Sequence, residues 1–253
     1  MILINIETYK QKLYPLTNND FAFSIRELSR HILHNLSPEE EVTNCVWYKN
    51  ETNEAGKLTR GERVKYAIQK GLPDEFVKTF YKTNERISDI TKTLNKYTHI
   101  NPEIFDITET EVNKLTEKVL DSFKTFAVEI NTFHELFKTK LEERIDEVVL
   151  KHTIYETFDN VDILATHHSI EECNLSSYTI TEINSWNISI EATGSLKARL
   201  QYGSDGDVAN GYGAQMHTLF PFDCNLQIVI NENFAKSEYE VLEFNVNTDD
   251  WNK

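Results

Sequence analysis

Cysteine is scarce in this sequence. Cys45, Cys173 and Cys224 are odd in number and far apart, so they form neither a CxxC metal pair nor a disulfide framework, and a reducing cytoplasm is the expected compartment. Long apolar runs are missing too. No stretch approaches the ~18 apolar residues of a membrane span, and the start has no signal-peptide core, so no membrane partner is expected. Positive charge is in short supply: 26 Lys and Arg stand against 41 Asp and Glu, a net −15, which argues against indiscriminate nucleic-acid binding. There is no Walker-type loop, no GxSxG, no HExxH and no GxGxxG, so no cofactor and no metal centre are expected. Neither Glu-x-Lys nor Asp-x-Lys occurs, which removes the usual metal cluster of restriction-type nucleases.

The charge that is present is unevenly placed. Residues 1–150 carry 21 basic and 25 acidic groups, whereas residues 151–253 carry 5 and 16. Between Lys57 and Lys96 there are ten basic groups against five acidic ones. A polyanion is therefore expected at the N-terminal half and repelled by the C-terminal half.

Periodicity divides the chain in the same place. Phe21–Leu36 reads as a helix with an apolar stripe at Ile25, Leu28, Ile32 and Leu36, preceded by the candidate caps Asn18, Asn19 and Asp20 and ended at Ser37-Pro38. Glu39–Leu58 reads as a loop pinned by Val46-Trp47-Tyr48, and helices are expected at Thr59–Gln69, Asp74–Tyr81 and Glu85–Tyr97. The strongest signal follows. Eleven apolar residues from Val112 to Val148 step by three or four throughout, the period of an α-helix. Such a helix is the spine of a bundle, breaks near Asn131, or reaches out to a second copy as a coiled coil.

After about Thr157 the period becomes two, at Ile188–Ala192, Leu196–Tyr202, Phe220–Ile230, Tyr239–Val241 and Phe244–Val246, punctuated by Gly194 and Gly203. The expected fold is α+β: an all-helical bundle with one long helix over residues 1–155, then an antiparallel β-sandwich or small barrel over 156–253.

Chemistry concentrates on the first strong helix. Arg26, Arg30 and His34 recur at every fourth residue, with Glu27 and His31 on a neighbouring row. Arginine suits a scissile phosphate and histidine a proton at a ribose hydroxyl, so Arg26, His31 and His34 are the candidate catalytic residues. Arg30, Arg60, Arg63, Lys65, Lys96, Tyr97 and His99 are the candidate nucleic-acid-binding set, provided that they converge in space. The competing reading is a solvated helix face with local pairs such as Glu27 with Arg30. Ser204–Gly213 reads as a flexible hairpin loop, because its acidic spacing does not fit an EF-hand, and the adjacent His167-His168 would point apart in a strand.

Arg26 and His31 have a spacing that resembles the Arg-x4-His RNase motif of the helical HEPN superfamily, with Glu27 where that motif carries Asn, Asp or His. Four longer stretches, SIRELSRHILHNLSPEEEV, TRGERVKYAIQKGL, LNKYTHINPEIF and LQYGSDGDVANGYGAQMHTLFPFDC, together resemble the bacterial proteins grouped as predicted pPIWI-associating nucleases. The resemblance runs from about residue 20 to 250. It implies a helical front, a β-rich back and a cytoplasmic role in antiviral conflict. The implied partners are RNA or DNA at the helical half and other defence-system proteins. A second copy meeting through the long helix belongs to the alternative expectation of a non-catalytic component.

Overall fold

A computed structural model of the chain describes residues 18–50, 57–98 and 108–252. Among the described residues six helices come first: α1 (Asn18–Leu36), α2 (Glu39–Thr43), α3 (Arg60–Gln69), α4 (Asp74–Val77), α5 (Thr83–Thr98) and α6 (Glu109–Tyr155). After the short α7 (Asp159–Asp162) come β1 (His167–Ile183), β2 (Asn187–Tyr202), α8 (Asp205–Ala209), β3 (Ala214–Val229) and β4 (Tyr239–Val246). The α+β class is as expected from the two periods. Among the described residues no helix is long and apolar enough to cross a membrane.

The helix starts are written into the sequence. At α3, Thr59 accepts from the Glu62 amide at 3.2 Å while the Glu62 carboxylate accepts from the Thr59 amide at 2.6 Å, a reciprocal capping box. Thr108 and Glu111 repeat the device before α6. Asn18–Asp20 join the first turn of α1 instead of preceding it. Residues 39–43 are helical rather than loop, because Pro38 ends α1 and three glutamates then occupy a helix's first turn, where negative charge is favoured.

The chain divides into two compact units. One comprises Met1–Phe137, Asn184–Trp186 and Ile230–Ala235; the other comprises Lys138–Ile183, Asn187–Val229 and Lys236–Lys253. In the first, Phe76, Phe80, Phe133, Phe137 and Phe234 form a ring cluster with centroids 4.7–6.4 Å apart. Glu129 accepts from Tyr81 Oη and Arg86 Nη1, both at 2.7 Å, above that cluster. A second cluster gathers Val42, Cys45, Trp47 and Tyr66. Gly71 is required beside it, since a Cβ there would lie 2.3 Å from the Ser185 carbonyl oxygen.

α6 is 47 residues long and does not break at Asn131; at 1.5 Å per residue it spans about 70 Å. From Val119 to Ile145 its expected stripe is buried in the chain itself, with Phe126, Phe133, Phe137, Leu141 and Ile145 fully covered. Val128 and Leu136 are the exposed large apolar side chains of its middle turns.

In the second unit the strands form one antiparallel sheet in the order β1-β2-β3-β4. It is open, so the expected sandwich or barrel is corrected: among the described residues there is no second sheet, and β1 does not close onto β4. The physical reason is that a helix covers the apolar face. Tyr178 donates to the Lys138 carbonyl, Arg144 donates to the Ser237 carbonyl at 2.9 Å, and His152 packs 5.2 Å from Phe244. The alternation in β2 and β3 places Ile188, Ile190, Leu196, Leu200, Phe220, Phe222, Leu226 and Ile228 on that covered face. Gly194 does not separate two strands as its punctuation suggested. It sits inside β2, where a Cβ would lie 2.3 Å from the Asn174 carbonyl oxygen and 2.5 Å from the Phe222 ring. Residues 205–209 are a short helix capped by Ser204 and Asp207, so the expected flexible loop is more ordered than its composition suggested.

Candidate nucleic-acid interface

α1 buries Ser29, Ile32 and Leu33 and exposes Arg30, His31 and His34. The exposed row follows from the 3.6-residue period, which turns these positions away from the buried stripe. Arg30 pairs with Glu27 at 2.9 Å, the local pair that the spacing allowed. His31 Nε2 lies 3.1 Å from Asn35 Nδ2 and accepts its hydrogen bond in the matching tautomer.

Arg63 arrives from α3 and is buried. Its Nη1 donates to the Ser37 carbonyl at 2.6 Å, and Ser37 Oγ donates back to the Arg63 carbonyl at 2.6 Å. This reciprocal pair of hydrogen bonds between the end of α1 and α3 fixes the direction in which α1 terminates. Glu39 stands 4.0 Å from the same guanidinium.

His34 is held below the ordinary histidine value, first by burial and then by the charges of Arg63 and Arg30, against the opposing pull of Glu39. The imidazole is therefore biased to its neutral form near pH 7 and can accept a proton. Arg30, the exposed one of the two guanidinium groups that depress it, can also favour phosphate oxygens nearby, since a planar fork makes paired bonds to them.

The structure thus leaves Arg30 and Arg63 acting on His34 through their charge. It ties other candidates elsewhere. Arg60 Nη1 donates to Asn95 Oδ1 at 2.8 Å, linking α3 to α5. Lys65 pairs with Asp74 at 2.8 Å and lies 4.3 Å over the Trp47 ring. Arg26 stands one turn before Arg30 on α1, Lys96 and Tyr97 fall in the last turn of α5, and His99 lies outside the described residues.

A second polar group went unnoticed in the sequence. Glu41 accepts from Tyr66 Oη at 2.8 Å and from the Ser185 amide at 2.9 Å; burial pushes its carboxyl up, and these bonds hold it below the usual range. Lys70, lowered by burial, lies 4.7 Å over the Tyr66 ring and has φ of 54°, which for a lysine stores backbone strain. Its burial was not readable, because the apolar period of α3 ends before it. Burial pushes the Cys45 and Cys224 thiols up to about 12, so neither is poised as a thiolate nucleophile.

Residues 6–123 match a family model described as predicted pPIWI-associating nuclease, and residues 130–252 match a second model of the same description. No curated protein and no solved structure compared with the chain matches it.

Proposed function

The chain belongs to the family of predicted pPIWI-associating nucleases, and from that premise we propose that it is a cytoplasmic bacterial antiphage-defence nuclease acting through the Arg/His face of α1. The observation that supports this reading best is the exposed row of Arg30, His31 and His34 on α1, where burial and the charges of Arg63 and Arg30 lower His34. In this reading Arg26 and Arg30 bind the scissile phosphate. Neutral His34 takes the proton of a ribose 2′-hydroxyl, whose oxygen then attacks phosphorus, and His31 returns a proton to the leaving 5′-oxygen. Arg63 holds the end of α1 in place and adds to the positive field. Arg60, Lys65, Lys96, Tyr97 and His99 would extend the track along the local excess of positive charge between Lys57 and Lys96.

The alternative is a non-catalytic defence component that binds a partner protein or ligand and dimerises through α6. With the stripe of α6 covered from Val119 to Ile145, a second copy would meet exposed side chains such as Val128 and Leu136.

Binding of labelled single-stranded RNA, single-stranded DNA and duplex DNA across a salt series tests the first reading. Affinity for one of them should fall with salt, and Arg30→Ala should lower both the affinity and the slope by about one phosphate contact. Salt-insensitive binding, unchanged in Arg30→Ala, would remove α1 from the interface.

A further inference from the structure

The two edges of the sheet are guarded differently. β1 forms one edge, and its register against β2 shifts between Ile170 and Glu172, between Leu175 and Ser177, and between Ile180 and Glu182. Such irregularities twist a strand and make its edge a poor template for another chain. On the other side, β4 pairs only with Phe222–Ile228 of β3. The first half of β3, Ala214–Phe220, keeps an unbroken register with β2 and, among the described residues, has no strand beyond it.

One hydrogen bond fixes which backbone groups face outward there. The Asn247 amide donates to the Pro221 carbonyl at 2.8 Å, from the β4 side. Successive residues of a strand turn their N–H and C=O to opposite sides, so Leu219, His217 and Gln215 turn theirs to that same side. Among the described residues nothing bonds to those groups. The side chains beside them are open: Leu219 is 63 % exposed on one face and Met216 44 % on the other. Ala214–Phe220 also contains no Asp, Glu, Lys or Arg, the charges that commonly blunt a free edge.

We propose that this edge pairs with the same edge of a second copy, antiparallel about a two-fold axis at His217, so that two chains share one continuous sheet. Three features favour a second copy over a strand of another protein. The two-fold sets His217 opposite His217 and Gln215 opposite Leu219, which satisfies every outward N–H and C=O of these residues and covers Leu219 and Met216. The neutral segment lets two domains meet without like charges directly opposite, although residues 151–253 carry 16 acidic groups against 5 basic ones. The irregular β1 does not extend the sheet, so association closes at two chains instead of running on as a fibre. The His217–Glu171 bond, at 2.9 Å, reaches toward β1 and is kept. This contact is independent of the α1 site and lies apart from the exposed α6 side chains of the alternative reading.

Sedimentation velocity of the full chain, from micromolar to near-millimolar concentration, tests it. Wild type should show a monomer–dimer equilibrium with no larger species. Amide exchange of the segment Ala214–Phe220 should slow as the dimer fills. Leu219→Pro removes an outward N–H that β2 does not use, as Pro221 does naturally, and Leu219→Lys adds an edge charge. Each should raise the dimer Kd at least about tenfold, while the dilute proteins keep the wild-type circular dichroism. Should the proline variant not fold, the lysine variant and the exchange measurement decide. Leu136→Lys, on α6, should leave the equilibrium unchanged. A chain that stays monomeric throughout would overturn the proposal and leave the edge to a strand of another protein. A dimer of wild-type Kd in both Leu219 variants would also overturn it, as would one lost only in Leu136→Lys.

Discussion

Replacing Arg63 with alanine separates two roles that its position combines. Its guanidinium is buried, and it donates to the Ser37 carbonyl at 2.6 Å. A hydrogen bond from a charged donor contributes about 1.5–3 kcal/mol, and the abandoned carbonyl would be left without its partner. The 4.0 Å contact with Glu39, a side chain 54 % exposed, adds at most ~0.5 kcal/mol after solvent screening. The variant should therefore lose about 2–3 kcal/mol, or roughly 5–10 °C of melting temperature for a chain of this size. Urea and thermal unfolding, followed by far-ultraviolet circular dichroism, measure the loss. Arg30→Ala is the control. Its pair with Glu27 is exposed at both ends, and its removal should change stability by less than ~0.5 kcal/mol. The two arginines should thus divide: Arg63 governs stability and Arg30 governs phosphate binding. If Arg63→Ala melts with the wild type but loses nucleic-acid binding as fully as Arg30→Ala, the assignment of Arg63 as a strut is refuted.

Two further perturbations read other parts of the fold. Gly71→Ala should destabilise by about 1–3 kcal/mol in thermal unfolding, because the new methyl would sit 2.3 Å from a backbone oxygen that cannot swing away; wild-type stability would show that residues 184–186 yield easily. His134, whose Nε2 is buried without a partner, is lowered to about 4, mainly by burial. The folded value lies below the ordinary 6.5, so the unfolded chain takes up the proton first. Its contribution is complete above about pH 6.5 and drains as pH falls toward 4, at ~1.4 kcal/mol per pH unit. Wild type should lose about 2 kcal/mol more than His134→Gln between pH 6.5 and 5 in urea titrations. Parallel pH profiles would contradict this.

The legible part of the fold was whatever a local period could encode. The stripe from Val112 to Val148 gave α6, and the alternation at Ile188–Ala192 and Phe220–Ile230 gave β2 and β3. The number of sheets was not legible, because alternation reports that one face is covered and not by what. Here a helix covers it, and four strands in one open sheet suffice. Gly194 shows the same limit from another side: a glycine that breaks a pattern looks like punctuation, yet this one makes room for Phe222 within a continuous strand.

At the candidate interface, the face of α1 was readable from i, i+4 spacing, and so was the Glu27–Arg30 pair. The partition of Arg60, Arg63 and Lys65 was not. Three basic residues on one short helix look equivalent in sequence, but their partners, Asn95, Ser37 and Asp74, come from different segments.

The most direct test of the α1 site is cleavage of labelled single-stranded RNA by the full chain, in the presence of chelator, at pH 7. Wild type should cut and leave 2′,3′-cyclic phosphate ends, with activity reduced at least a hundredfold in His34→Ala and in Arg30→Ala, the usual scale for a lost proton-transfer group or phosphate donor. Both variants should unfold as the wild type does. Cleavage that persists undiminished in His34→Ala and Arg30→Ala would contradict the account and place the chemistry elsewhere in the chain.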